Sequence, residues 1–409
     1  MGMNAVEKIL ARHSGVTEFA PGDVVMAEVD LAMFYDSMPP GIRRINDPDK
    51  VVLLHDHHVP YPTAAAADRA ATVRAFAERF GVDNYFPVGR HGISHVLVAE
   101  EGLALPGMIV ACGDSHTCSS GALNCLARGM GGLEMLHILC KGTGAYVVGP
   151  TVRVELEGAL AEHVYPRDVI HFIPGRYGDF AGQNLEWYGD GLASIGMDGR
   201  LTMATISAEL SAEFSLFPHD AVLEAFLDGR ARHPYEPVHP DPDASYDRTI
   251  SVDLSKLEPQ VVLPDKVAWN VEDVSSVVGQ HIDQAFIGSC ANGRLSDFAV
   301  AAEVVRGHQV AAGTRFIVTP GSQSILKEAM RAGYVGTLME AGAVVTSSTC
   351  GACYGGHMGL LGDGEVCLTA STRNFKGRMG SPTASVFMAS PATVAASAIR
   401  GVITDPRDI

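Results

Sequence analysis

An α/β fold built on parallel sheets is the class the sequence predicts, and three observations predict it. Short β-rich runs recur along the chain, each run closes in a polar or glycine-rich turn, and several runs alternate with helical patterns. That alternation favours βαβ units, whose strands pair in parallel. Taken in order, "KVVLLH" (50 to 55) is the first such run and leads into the helical pattern "AADRAATVRAFAERFG" (66 to 81). "GMIVAC" (107 to 112), "QAFIGSC" (284 to 290) and "TRFIVTP" (314 to 320) follow, then the helical "SQSILKEAMRAG" (322 to 333) and the run "GAVVTSS" (342 to 348). Ligands on such sheets bind beyond the carboxyl ends of the strands, so the chemistry is expected in the loops after these runs.

The chain of 409 residues is long enough for two or three domains, and 47% hydrophobic with 19% charged residues is ordinary globular composition. A stretch rich in proline and acidic residues, "RHPYEPVHPDPDASYD" (232 to 247), reads as a connector, with further loop expected to about residue 280. The expected division is therefore 1–280 and 281–409. A formal charge of -17 argues against nucleic acid as a partner. No apolar run is long enough to span a membrane, "MGMNAVEKILARHSG" lacks the pattern of a signal peptide, and Val6 stands where a myristoylation signal needs Ser or Thr. A cytoplasmic protein is expected, and its 8 cysteines are then thiols or metal ligands rather than disulfides. Cys112, Cys118, Cys125, Cys140 and Cys367, among small or apolar neighbours, read as packing residues.

Three constellations carry chemistry. The first is "STCGACYGGHMGLLGDGE" (348 to 365), where Cys350 and Cys353 form a C-x-x-C pair that suits a redox dithiol, half a zinc site or part of an iron-sulfur site. Cys290 in "FIGSCANGR" also follows a strand, so a third thiolate could converge with the pair. Three sulfurs without a fourth ligand suit a cubane cluster with one iron left open to substrate. The second constellation is Asp56, His57 and His58 in "LLHDHHVP", His91 and His95 in "GRHGISHVL", and Asp114, Ser115 and His116 in "CGDSHTCSSG". Carboxylates beside histidines fix the tautomer and raise the basicity of the ring. The third is "STRNFKGRMGSP" (371 to 382), whose Arg373 and Arg378 offer planar forks for carboxylates.

In order along nearly the whole chain, "DHHVP", "GDSHT", "FIGSCANGR", "CGACYGGHMG" and "RNFKGRMG" resemble the successive motifs of large subunits of the 3-isopropylmalate dehydratase type, within the aconitase family. The resemblance implies three α/β domains around a 4Fe-4S cluster: two domains within 1–280 and the third in 281–409, with the mobile swivel domain absent. It implies Cys290, Cys350 and Cys353 as cluster ligands. By the same resemblance Asp56, His57, His95, Asp114, His116 and Glu209 of "RLTMATISAEL" are catalytic, and Ser115, Arg373 and Arg378 bind substrate.

The implied reaction removes water from a 2-hydroxy dicarboxylic acid and adds it back at the adjacent carbon, as between 3-isopropylmalate and 2-isopropylmalate. The base, a serine, would come from a separate small swivel-domain subunit. The sequence departs from the family pattern at Thr205, Ala291 and Thr372, so hydrogen bonding near the cluster is expected to differ. Two alternatives stand beside this reading. One is a paralogue acting on another substituted malate, of homoaconitate, dimethylmalate or citramalate type or from specialised metabolism. The other, of a different class, is an apo-form RNA-binding regulator.

Overall fold

A computed structural model of the protein describes residues 2–409. Its frame is three sheets. The first has five parallel strands, in the order Tyr85–Phe86, Val51–Leu54, Leu31–Tyr35, Ile109–Cys112 and Leu126–Gly129. The second has four parallel strands, in the order Ser215–Leu216, Asn184–Tyr188, Thr151–Glu157 and Arg248–Asp253. The third has seven, ordered Val271–Asp273, Gln260–Val262, Ser385–Met388, Val366–Thr369, Gln284–Gly288, Arg315–Thr319 and Val344–Val345. Within it the last five strands are parallel, and the first two are antiparallel additions at one edge. An antiparallel ribbon, Val24–Glu28 with Thr143–Val147, lies outside the three.

Each strand run read from the sequence forms a strand, and both helical patterns form helices. Ala64–Phe80 is capped by the Thr63 side chain and stopped by Gly81 in the left-handed region; Gln323–Arg331 is capped by Ser322. Central strands such as Val51–Leu54, Ile109–Cys112 and Gln284–Gly288 are buried along their whole length, as parallel strands covered on both faces must be. Trp187 is fully buried and stacks on Phe217, with ring centroids 5.2 Å apart. At about 1.5–3 kcal/mol for each large apolar side chain removed from water, such contacts dominate the stability of the layers.

The expected loop from 248 to about 280 is corrected by the structure. Arg248–Asp253 closes the second sheet, and Gln260–Val262 and Val271–Asp273 already belong to the third. Two of these strands have only three residues, too short for periodicity to mark them. The proline-rich stretch is anchored rather than free. Val238 exchanges backbone hydrogen bonds with the Asn124 amide, and Asp241 accepts from the Met3 N–H at 2.8 Å.

Candidate functional site

The loops that leave the strand ends of the first and third sheets meet over one cavity of about 300 Å³. Cys290, Cys350 and Cys353 line it from the third sheet. His57, Asp114 and His116 line it from the first, and Arg373 and Arg378 close another side.

Local backbone geometry aims the thiols. After Gln284–Gly288 the chain turns through Gly288 at φ 154 and Ser289 at φ 65. A Cβ on Gly288 would stand 2.6 Å from the Thr319 carbonyl oxygen, so glycine is required there. Between the other two cysteines Gly351 sits at φ 56, in the left-handed region. All three cysteines are buried and free. Burial pushes the Cys290 thiol up, but His116 and His95 beside it outweigh that and bring it down to about 6, toward thiolate. Burial and Asp56 push Cys350 the other way. Three soft sulfur donors facing one cavity, with the remaining cysteines elsewhere, is a donor set that fits an iron-sulfur cluster. Asp56, His57 and Cys350 also bring one ligand atom each within 4.8 Å of one another. That closeness is an acid-base pair touching a thiol: Asp56 already accepts from the Ser94 N–H at 2.8 Å and lies 3.7 Å from the Cys350 sulfur.

Two histidines are framed by carboxylates. His57 Nδ1 lies 3.1 Å from Asp56 and its Nε2 lies 3.5 Å from Asp114. The Asp56 approach is a charge contact, misaligned for a hydrogen bond. Burial works against the His57 cation, yet Asp56, Asp114 and Asp36 outweigh it and raise the ring to about 10. His116 Nδ1 lies 3.3 Å from Asp114, and its Nε2 is 2.9 Å from Glu209. Burial again opposes the charge, and Cys290, Asp114 and Glu209 raise His116 well above the ordinary imidazole value. His95 is fully buried with its ring centroid 6.3 Å from that of His116, and its Nε2 has no hydrogen-bond partner.

Glu209 also accepts from Arg373 Nε at 2.6 Å, and Arg373 Nη2 donates to Ser115 Oγ at 2.7 Å. One chain of contacts thus joins His116, Glu209, Arg373 and Ser115. Arg378 has a buried Nε with no partner, and its charge pulls the Cys353 thiol down against the effect of burial.

Two histidines of the sequence reading have other work. Both ring nitrogens of His91 are engaged by backbone, with Gly89 N–H donating to Nδ1 and Ser348 O near Nε2. The His58 ring contacts the Tyr354 hydroxyl. Of the three departures, Thr205 spends its hydroxyl on the Leu201 carbonyl one turn back, and Ala291 is buried with its carbonyl taken by Thr202. Thr372 alone has its hydroxyl beside a cysteine, 3.5 Å from Cys353 Sγ.

Sequence reasoning missed six residues. Asp36 accepts the backbone N–H groups of Asp56, His57 and His58, and Tyr35 stacks on the His57 ring at 5.1 Å. Both stand at the end of the run Leu31–Tyr35, a strand end that could have flagged them. Tyr354 donates to the His57 carbonyl at 3.0 Å, as do Thr349 and His357 at 3.1 and 2.9 Å. Arg167 is fully buried and donates to Asn292 and to the carbonyls of Ala370 and Ser371. Nothing local in the sequence separates it from a surface arginine.

The aconitase family (aconitate hydratase) pattern matches residues 6–277 and 266–401. The chain is 50% identical over 413 residues to a 3-isopropylmalate dehydratase large subunit of Mycolicibacterium smegmatis, covering 100% of this chain and 98% of that protein. It is 41% identical over 414 residues to 3-isopropylmalate dehydratase large subunit 2 of Rubrobacter xylanophilus, covering 98% of this chain and 97% of that protein. A "Probable methanogen homoaconitase large subunit" of Methanothermobacter thermautotrophicus is 40% identical over 420 residues, covering 99% of this chain and 98% of that protein.

Proposed function

The chain belongs to the aconitase family, and from that premise we propose that it is the large subunit of a hydro-lyase interconverting 2-isopropylmalate and 3-isopropylmalate in leucine biosynthesis. The observation that carries the reading is the single cavity where three thiols, two carboxylate-framed histidines and two arginines face one another. Proteins of this family bind an iron-sulfur cluster; here Cys290, Cys350 and Cys353 would hold it as a 4Fe-4S group with one iron free of protein ligands. When bound, the cluster supplies Lewis-acid chemistry at the substrate hydroxyl.

The protein's own residues do the rest. Arg378, with its free Nε, and Arg373, braced by Glu209, bind and orient the two carboxylates in an otherwise acidic molecule. His57 is held as a cation by Asp56 and Asp114 and carries the proton that the departing hydroxyl needs. His116, paired with Asp114 and Glu209, and His95 beside Cys290 complete the donor side of the cavity. The base that takes the proton from the adjacent carbon is a serine on a small partner subunit. Eight free cysteines, and no helix long and apolar enough to cross a membrane among the described residues, accord with a cytoplasmic setting.

A second reading, a paralogue acting on another substituted malate, is favoured by the homoaconitase relative and by the Thr372 hydroxyl beside Cys353. Anaerobic co-expression with a candidate small subunit, followed by absorbance assays of the unsaturated intermediate, separates the two. Turnover of 3-isopropylmalate at least about tenfold more efficient than that of homoaconitate, dimethylmalate or citramalate, a gap of about 1.4 kcal/mol, supports the first reading. The reverse order supports the second.

A further inference from the structure

A second cavity, of about 790 Å³, lies among the helices Ser94–Glu100, Met197–Ile206, Leu295–Val305 and Gln323–Arg331 and shares no lining residue with the thiol cavity. Its volume is within the range of small-molecule sites, about 300–1,000 Å³.

One wall carries a buried cation with no direct ion pair, its charge reaching Glu100 and Asp297 only across a gap. Arg294 is 3% exposed, its Nη2 donates to the Cys290 carbonyl at 3.2 Å, and its Nε has no partner. No carboxylate comes within 4.0 Å of its guanidinium among the described residues. A buried guanidinium left this way is costly, and an acceptor from a ligand would relieve it.

Other walls carry acids that are equally without ion pairs. Glu100, Asp198 and Glu328 line the same space. Burial pushes the Glu100 carboxyl up to about 7 against the Ser322 hydroxyl that donates to it and the Arg294 charge, and Glu328 and Asp198 add to the rise. The rest of the lining mixes polar groups, Asp297, Arg167 and Arg230 among them, with an apolar part that includes Met197, Phe226 and Val300. A simple anion would meet the acids, and a simple cation would meet Arg294, Arg167 and Arg230. Neither would gain from the apolar wall. A molecule with both charges and a hydrocarbon part satisfies all three.

We propose that this cavity binds a free α-amino acid with an apolar side chain. Its carboxylate sits on Arg294, its ammonium among Glu100, Asp198 and Glu328, and its side chain against Met197, Phe226 and Val300. Arg294 holds the Cys290 carbonyl, and Arg167, also in the lining, holds the carbonyls of Ala370 and Ser371. The ligand therefore touches the supports of two segments that shape the thiol cavity.

The test is isothermal titration of the anaerobically assembled two-subunit holoenzyme. The probes are glycine, L-valine, L-methionine and L-phenylalanine, each beside the matching acid without the ammonium and the matching amine without the carboxylate. At least one apolar amino acid should bind with Kd below about 1 mM, with its two truncated forms and glycine each weaker by about tenfold or more. Val300→Trp, which fills the cavity, should abolish binding while turnover persists. Glu328→Gln, at the rim, should weaken the amino acid by about tenfold and leave its ammonium-free acid unchanged. If Val300→Trp fails to fold, the charge-selective effect of Glu328→Gln decides. No saturable heat up to about 10 mM, binding that survives a folded Val300→Trp, or truncated forms that bind as well as the parent would each overturn the proposal.

Discussion

The carboxylate of Asp36 accepts the backbone N–H of His57 at 2.9 Å, and it takes the N–H groups of Asp56 and His58 as well. Three donors converge on one side chain, so the segment that carries the Asp56–His57 pair is fixed from below, while the His57 carbonyl is held from above by Thr349, Tyr354 and His357. Asp36 itself sits at φ 59, a conformation that Asn and Asp tolerate best among residues with a Cβ.

Asp36→Ala should therefore lower kcat by about 10- to 100-fold, because catalytic geometry loosens by a fraction of an ångström. Asp36→Asn keeps the backbone conformation and one acceptor oxygen, and should retain most of the activity. Iron content should be unchanged in both. Equal kcat in wild type and Asp36→Ala would remove Asp36 from the positioning role.

Cys290→Ser, Cys350→Ser and Cys353→Ser should each lose activity together with iron, sulfide and the broad visible absorbance of the cluster, because a hydroxyl is a poor ligand for iron in such sites. Cys367→Ser should keep all of these, since its thiol lies in the strand Val366–Thr369 and does not line the cavity. Full iron content in any of the first three variants would refute that ligand assignment.

The two arginines should separate kinetically. Arg378→Lys loses a free planar fork and should raise KM for the dicarboxylate by about 10- to 100-fold. Arg373→Lys also loses the Nε bond to Glu209, the carboxylate that holds His116, so kcat should fall along with the rise in KM. Steady-state kinetics on cluster-replete protein checks both, and unchanged constants would make these side chains surface residues.

The N-terminal helix, Ala5–Ser14, offers a pH test away from the site. His13 Nε2 lies 2.8 Å from Asp30. Burial disfavours both charges, but the mutual contact prevails, raising His13 and lowering Asp30. The Asp30 contribution is present above the unfolded carboxyl value near 4 and fades as pH falls through its depressed value. The His13 contribution is full below the unfolded imidazole value near 6.5 and fades as pH rises through its raised value. The pair is therefore worth most between about pH 4 and 6.5, and His13→Gln should cost about 1 kcal/mol there and progressively less above that window. Chemical denaturation at several pH values reads this directly, and a pH-independent loss would contradict it.

The isolated chain should bind its cluster and turn over almost nothing. General base catalysis typically contributes about 100- to 10,000-fold, and the proposed mechanism puts the serine base on a second polypeptide of about 100 to 200 residues. Activity should return on mixing. Full activity from this chain alone, shown by mass spectrometry to lack a second polypeptide, would rule the two-subunit mechanism out.

The candidate site residues were legible because they are rare types in strand-end loops. Cys290, Cys350, Cys353, the Asp56–His57 and Asp114–His116 pairs and the two arginines all stand where a β-rich run gives way to a polar turn, and the order of their motifs pointed to the family. The long buried strands and capped helices were legible for the same local reason, since hydrophobic period and caps are written within a few residues. The supports were not. Asp36 and Tyr35 act on His57 across about twenty positions of sequence, and Arg167 holds Asn292, Ala370 and Ser371 from a distant helix. The edge strands Gln260–Val262 and Val271–Asp273 form because Ser385–Met388 presents an open edge, not because three residues prefer extension. Arg294 and its cavity likewise exist only where helices far apart in the chain pack together. Side-chain type is a local property, whereas burial, pairing and the absence of a partner are set by what the rest of the chain brings alongside.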